Sequence, residues 1–221
     1  MKEIILDTET TGLSVKDGHR VVEIGCIELD NLTPTKNRFH CYLNPERKVS
    51  EKALEVHGYT DEFLSKHKKF KEIVNDFLNF INGKRLIIHN AEFDLSHLIN
   101  ELKIIVKNPL KNEVIDTLLL SREKFPGSPA SLDALCKRYR IDNSKRMQHT
   151  ALIDCDLLSK VYINLIDQKE PSLNFYDEVN ENEKKNNKKI LYFKKVIKPS
   201  DQEKISHNKY LKTSLKKNFF N

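Results

Sequence analysis

Leu6-Asp7-Thr8-Glu9-Thr10-Thr11-Gly12 puts two carboxylates two residues apart at the end of a short apolar run, Ile4-Ile5-Leu6. Alternate strand residues face the same way, so Asp7 and Glu9 point to one side. Like charges side by side repel, and each loses hydration if partly buried. A hard divalent cation with oxygen ligands offsets both costs. A solvated strand end with two unrelated acids is the alternative reading of the spacing. The flanking threonines and Gly12, which let a substrate backbone come close, favour a site.

Two further stretches carry the same kinds of group. Ile87-Ile88-His89-Asn90-Ala91-Glu92-Phe93-Asp94 reads as a strand giving way to a helix at Asp94, the kind of junction where α/β proteins place sites. Asp94 is then either a site acid or a helix N-cap, and His89 and Asn90 are turn residues or part of the site. His149-Thr150-Ala151-Leu152-Ile153-Asp154-Cys155-Asp156 holds a histidine and an acid five residues apart. On one helix they would differ by about 140°. They share a site only if His149 precedes the helix, and Asp156 then points toward solvent. Acids at Asp7, Glu9, Asp94 and Asp154 with His149 nearby make a complete set for phosphodiester hydrolysis with two metal ions.

The elements that must position these groups can be read from hydrophobic periodicity. Short β-rich runs at 4–6, 20–29 and 38–43, separated by turn-like segments including NLTPTKN, predict three antiparallel strands. Helices are expected from Ser50 to His57-Gly58, from Thr60, over 70–81 with Gly83 as C-terminal cap, from Asp94, over 117–124, from Ser131 to Tyr139 and over 150–166. Strands are expected at 86–88 and 114–115. Strands first, then strands interleaved with helices, give an α/β or α+β domain with a mixed sheet.

Composition bounds the rest. The chain has 221 residues, 38% hydrophobic, with a formal charge of +6. Residues 1–167 carry 25 of the 38 Lys+Arg and 25 of the 32 Asp+Glu, so the whole excess lies in residues 168–221. A uniformly basic nucleic-acid coat is excluded. No apolar run approaches the roughly 18–20 residues of a membrane span. Met1-Lys2-Glu3 leads straight into the first strand, which predicts no secretory leader. Cys26, Cys41, Cys136 and Cys155 have no CxxC spacing and predict reduced thiols in a cytoplasmic protein.

Taken together, LDTETTG, HNAEFD and HTALIDCD resemble the three motifs of the DEDDh 3′–5′ exonucleases. RVVEIGCIEL, EVHGYTDEFL, FPGSPASLDALCKRYRIDNSKR and the last helix match as well, so the resemblance runs over residues 3–166. Within the family it is strongest to the proofreading branch that serves the bacterial replicative polymerase. The resemblance implies a ribonuclease-H-like α/β fold, a central five-stranded mixed β-sheet flanked by α-helices, as an exonuclease domain over 1–167. Asp7, Glu9 and Asp154 would ligate two divalent cations, Mg²⁺ or Mn²⁺, and touch the substrate. Asp94 would ligate the second metal partly through water, and His149 would be the general base. Thr8, Val56, His57 and Phe93 match positions lining the terminal-nucleotide pocket. Lys52 falls near it, where relatives carry an acid. The implied reaction releases one nucleoside 5′-monophosphate at a time from a DNA 3′ end.

The polar stretch 168–189 reads as a flexible linker. Within it, 170–175 (Glu170-Pro171-Ser172-Leu173-Asn174-Phe175) is similar to the family's sliding-clamp peptide, with Glu170 in place of the leading glutamine. The basic tail, 190–221, is expected to tether the domain to the catalytic α subunit of DNA polymerase III, with no membrane involved, in a bacterial cytoplasm. A stand-alone DEDDh nuclease acting on RNA 3′ ends or in DNA repair is the alternative.

Overall fold

β1 (Lys2–Thr10) is the middle strand of a five-stranded sheet of order β3-β2-β1-β4-β5. The computed structural model describes residues 2–144, 146, 148–166 and 199–213. The linker 168–189 and the peptide 170–175 lie outside the described residues. β2 (Val21–Asp30) and β3 (Thr33–Tyr42) extend the sheet antiparallel on one side. β4 (Arg85–Ile88) and β5 (Val114–Asp116) add parallel on the other. The mixed sheet expected from the sequence is therefore present.

Helices cover both faces, and the strand period of two decides which residue meets which layer. Ile4 and Leu6 pack with Phe77, Leu98 and Leu102 of α3 (Phe70–Ile81) and α4 (Ala91–Ile104). Ile5 turns the other way, to Leu135 of α6 (Leu132–Tyr139) and Leu158 and Val161 of α7 (Ala151–Leu165). Asp7 and Glu9 continue the alternation of Ile5 and so face α7, whereas Thr8 faces α4. α1 (Glu51–His57) and α2 (Asp61–Ser65) follow β3, and α5 (Thr117–Lys124) follows β5.

Two local expectations are corrected. The segment NLTPTKN is not wholly a turn: only Asn31 and Leu32, both at positive φ, make the reversal, and β3 already starts at Thr33. Pro34 is tolerated there because β3 is an edge strand. α4 starts at Ala91 rather than Asp94. Asn90 holds φ 69°, and the Asp116 carboxylate accepts from the backbone N–H groups of Asn90 and Ala91 at 3.1 and 3.0 Å. Asp116 also accepts from Leu118 N at 2.8 Å, so one carboxylate caps two helices. Asp94 is thereby not a cap; it sits in the first turn of α4, 2% exposed.

The start of α7 is fixed by β2. Thr150 caps it, and Glu23, wholly buried on β2, accepts from Ala151 N at 2.9 Å. Gly25, on the same face two residues on, lets the helix backbone lie against the strand. A Cβ there would stand 2.6 Å from the Ala151 carbonyl carbon. The four cysteines are free thiols. Among the described residues no helix is long and apolar enough to cross a membrane.

Residues Asn174–Asn221 form a separate unit, of which α8 (Asp201–Thr213) is the described helix. Ser200 and Glu203 close its first turn: Ser200 N and Oγ donate to Glu203 Oε2 at 2.7 and 2.8 Å.

Gly25→Ala is expected to force α7 off β2. The loss of stability should be about 1–3 kcal/mol, read from urea unfolding, and exonuclease activity should fall with it. An alanine variant of unchanged stability would show that the close approach does not set the helix position.

Candidate active site

The parallel strands β1, β4 and β5 end on the same edge of the sheet, and the acids gather there. Asp7, Thr8, Glu9, Phe93, Asp94 and Asp154 all line one cleft of about 690 Å³, with His149 at its side. His149 lies on the loop before α7, as the five-residue spacing required, and Asp156 points away to Lys160 and Arg38.

Each acid is held by the fold. Thr8 donates to Asp94 Oδ1 twice, from N at 2.9 Å and from Oγ1 at 2.6 Å. Thr8 thus uses its hydroxyl to fix Asp94, and it also lines the cleft. Glu9 and Glu23 face each other across β1 and β2, and the register slips immediately beyond them, between Glu9 and Thr10. Such a bulge re-aims strand ends beside sites. Asp154 receives both edges of the Arg146 guanidinium, Nε to Oδ1 at 2.6 Å and Nη2 to Oδ2 at 2.7 Å. Arg146 also donates to Asp133 at 2.6 Å and lies 2.9 Å from His149 Nδ1.

The electrostatics follow from crowding. Burial raises Asp7 well above the usual carboxylate range, and Asp94, Asp154 and Glu9 add to the rise. Burial lifts Glu9 to about 8, with Asp154 and Glu23 adding. Asp94 reaches about 7, again chiefly through burial, despite the hydrogen bonds from Thr8. Burial works against the charge of Arg146, but Asp154 and Asp133 outweigh it and strengthen its hold on its proton. One guanidinium does not neutralise four carboxylates. Glu9, His149 and Asp154 bring donor atoms within 4.8 Å of one another. An oxygen-rich set of this kind fits a hard divalent cation.

Beside the acids lies a second, more apolar cavity of about 560 Å³ that shares Glu9 and Phe93 with the cleft. Val56, His57 and Lys52 line it, Val56 and Lys52 exposed and His57 buried. His57 Nδ1 accepts from Tyr59 N at 2.9 Å, and its ring stacks on Tyr59 at 4.7 Å. Burial lowers the His57 pKa, so the neutral ring keeps its proton on Nε2. Tyr59 in turn donates to Glu23 at 2.8 Å, as does His40 through a 2.7 Å contact.

Glu23, Arg146 and Asp116 had no role in the sequence reading. An acid at the centre of the β-branched stretch Val21-Val22-Glu23-Ile24 was a signal for Glu23, since a buried charge needs partners. Arg146 and Asp116 give no such signal, because Arg146 stands in no apolar run that marks it as buried, and Asp116 meets α4 across more than twenty residues.

A sequence-family model of exonucleases, RNase_T, matches residues 4–162, and the chain belongs to that family. The group within it follows from the relatives. The chain is 43% identical over 219 residues, 96% of each chain, to the DNA polymerase III subunit epsilon of Rickettsia typhi. It is 45% identical to the subunit epsilon of Salmonella typhimurium over 170 residues, 73% of this chain and 70% of that one. The fold is shared with exonuclease X in complex with 5′ overhanging duplex DNA, at TM-score 0.60, 24% identity and 75% and 92% coverage of the two chains. It is shared also with the nuclease domain of 3′hExo, a DEDDh family member bound to rAMP, at TM-score 0.64, 16% identity and 76% and 92% coverage.

The raised carboxyls give a pH signature. They bind more protons folded than unfolded. Their contribution to stability is therefore full below their unfolded pKa values and is lost as pH rises through about 7 for Asp94 and about 8 for Glu9. Protons and metal compete for the same oxygens. The rise in Tm on replacing EDTA with MnCl₂ should therefore be larger at pH 8 than at pH 5. Equal increments at the two pH values would contradict the assignment of these acids as ligands.

Proposed function

We propose that this chain is a 3′–5′ exodeoxyribonuclease that removes mispaired 3′-terminal nucleotides as 5′-monophosphates for DNA polymerase III. The observation that carries the reading is the meeting of the acid cleft and the apolar cavity at Glu9 and Phe93. A nucleoside held in the cavity puts its 5′-phosphate at the carboxylates. The epsilon-subunit relatives, similar over nearly the whole chain, support the assignment to replication.

Asp7, Glu9, Asp94 and Asp154 would hold two divalent cations, Mg²⁺ or Mn²⁺, which when bound favour the attacking water's ionisation and stabilise the leaving 3′ oxygen. The chain's own residues do the rest. Thr8 and the Asp116-capped start of α4 hold Asp94 against β1. Glu23 and Gly25 set the start of α7 and with it Asp154. Nδ1 of His149 is turned toward the cluster, 3.4 Å from Asp154 Oδ2, and takes the proton of the attacking water. Arg146 donates to that nitrogen in the structure described, so proton uptake requires this hydrogen bond to open. Val56, His57 and Phe93 offer the unpaired terminal nucleoside an apolar wall. Selection of mismatches needs little base reading, because a mispaired end frays more readily into single strand.

Asp7→Ala and Asp154→Ala should abolish hydrolysis of a mispaired DNA 3′ end in Mg²⁺ while the protein still folds. His149→Ala should slow it about 10²–10⁴-fold. Wild-type turnover in either aspartate variant, or a loss below tenfold for His149→Ala, would refute the roles given. Preference for an RNA 3′ end over a mispaired DNA end would refute proofreading.

Attachment to the polymerase catalytic subunit through 190–221, and to the sliding clamp through 170–175, is part of the same proposal. Deletion of 170–175 should weaken clamp binding in surface plasmon resonance and leave hydrolysis of free oligonucleotides unchanged. Undiminished clamp binding would remove this peptide from the interface.

A further inference from the structure

Five carboxylates make the cleft a poor host for a polyanion, and among the described residues its lining contains two permanently charged cations, Arg122 and Arg146. Arg146 is committed: its three nitrogens are bound to Asp154, Asp133 and His149, and its side chain is only 8% exposed. Arg122 differs. It is exposed on α5, and among the described residues it makes no hydrogen bond or ion pair. Its charge reaches the cleft floor, where burial chiefly, and then Arg146 and Arg122, lower the pKa of His89.

Topology says which part of a substrate would meet it. The nucleoside cavity is built on the β2–β3 side of β1, by α1 after β3, with Val56 and His57 in its wall. α5 follows β5 at the opposite edge of the sheet. A strand whose terminal nucleoside fills the cavity crosses the carboxylates at Glu9 and leaves the cleft between α5 and the first turn of α6. Ser131, the α6 N-cap, and Arg122 stand together on this exit side. The positive end of α6 adds to the attraction there.

We propose that Arg122 forms a binding subsite for the backbone phosphate on the 5′ side of the scissile bond. This deepens the function proposed above and rests on that reading of the cleft. The subsite binds phosphate and reads no base, so it serves every sequence alike. It lets the cleft hold a strand rather than a lone mononucleotide.

The test compares two substrates on the full chain. Thymidine 5′-(4-nitrophenyl phosphate) carries the terminal nucleoside and the cleaved phosphate but no further phosphate. Single-stranded oligothymidylate carries both. Arg122→Ala should raise KM for oligothymidylate roughly three- to tenfold and reduce the slope of log KM against log salt by about 0.7, the share of one phosphate on a single strand. Hydrolysis of the nitrophenyl ester should stay within twofold of wild type. Arg122→Lys should restore most of the salt slope. Equal losses on both substrates would overturn the proposal, because Arg122 would then act on the reaction or the fold. An unchanged KM and salt slope on oligothymidylate would overturn it too. A wild-type chain that cleaves neither substrate would overturn instead the reading of the cleft on which the subsite rests.

Discussion

Asp7, Glu9 and Asp94 hold their protons more tightly than free carboxyls because burial and mutual repulsion both penalise their charge. Left to itself such a cluster would spread apart or stay protonated. The fold prevents spreading by mounting the four acids on three independently anchored elements. β1 carries two of them in the middle of the sheet, α4 brings the third through Thr8, and α7 brings the fourth, clamped by Arg146. The strain is electrostatic rather than conformational, so a bound cation is what relieves it. Affinity for metal and stability of the protein are thereby linked through the same oxygens.

The anchoring relies on a second layer of buried polar groups. Glu23 takes hydrogen bonds from His40, Tyr59 and Ala151, which belong to an edge strand, the loop behind the nucleoside cavity and the start of α7. It therefore ties the wall of the cavity to the helix that carries Asp154. Asp116 performs a similar service for α4 and α5. Glu23 is wholly buried and Asp116 half-buried, and both are satisfied by several donors.

Much of this was legible in the residues. The continuous run Ile4-Ile5-Leu6 marked a strand buried on both faces, and the two-residue spacing of Asp7 and Glu9 put both acids on one of them. The spacing of His149 and Asp154 forced the histidine off the helix, where it is found. What escaped reading depends on distant pairings. Asp94 looked like a cap because the group that caps α4, Asp116, lies more than twenty residues later. That Thr8 also holds Asp94 escaped because its sequence neighbours do not reveal that Asp94 is opposite. Pro34 read as a turn residue because nothing local says that β3 is an edge.

That edge has a consequence for assembly. An uncovered strand is an invitation to pair with a strand from another chain, and proline within it withdraws one of the donors such pairing would use. β3 carries Pro34 together with Lys36 and Arg38, and the opposite edge, β5, is only three residues long. Neither margin of this sheet offers a long regular ladder for strand addition. Self-association by sheet extension is thus discouraged at both ends, and a protein meant to work within a larger assembly keeps its sheet to itself.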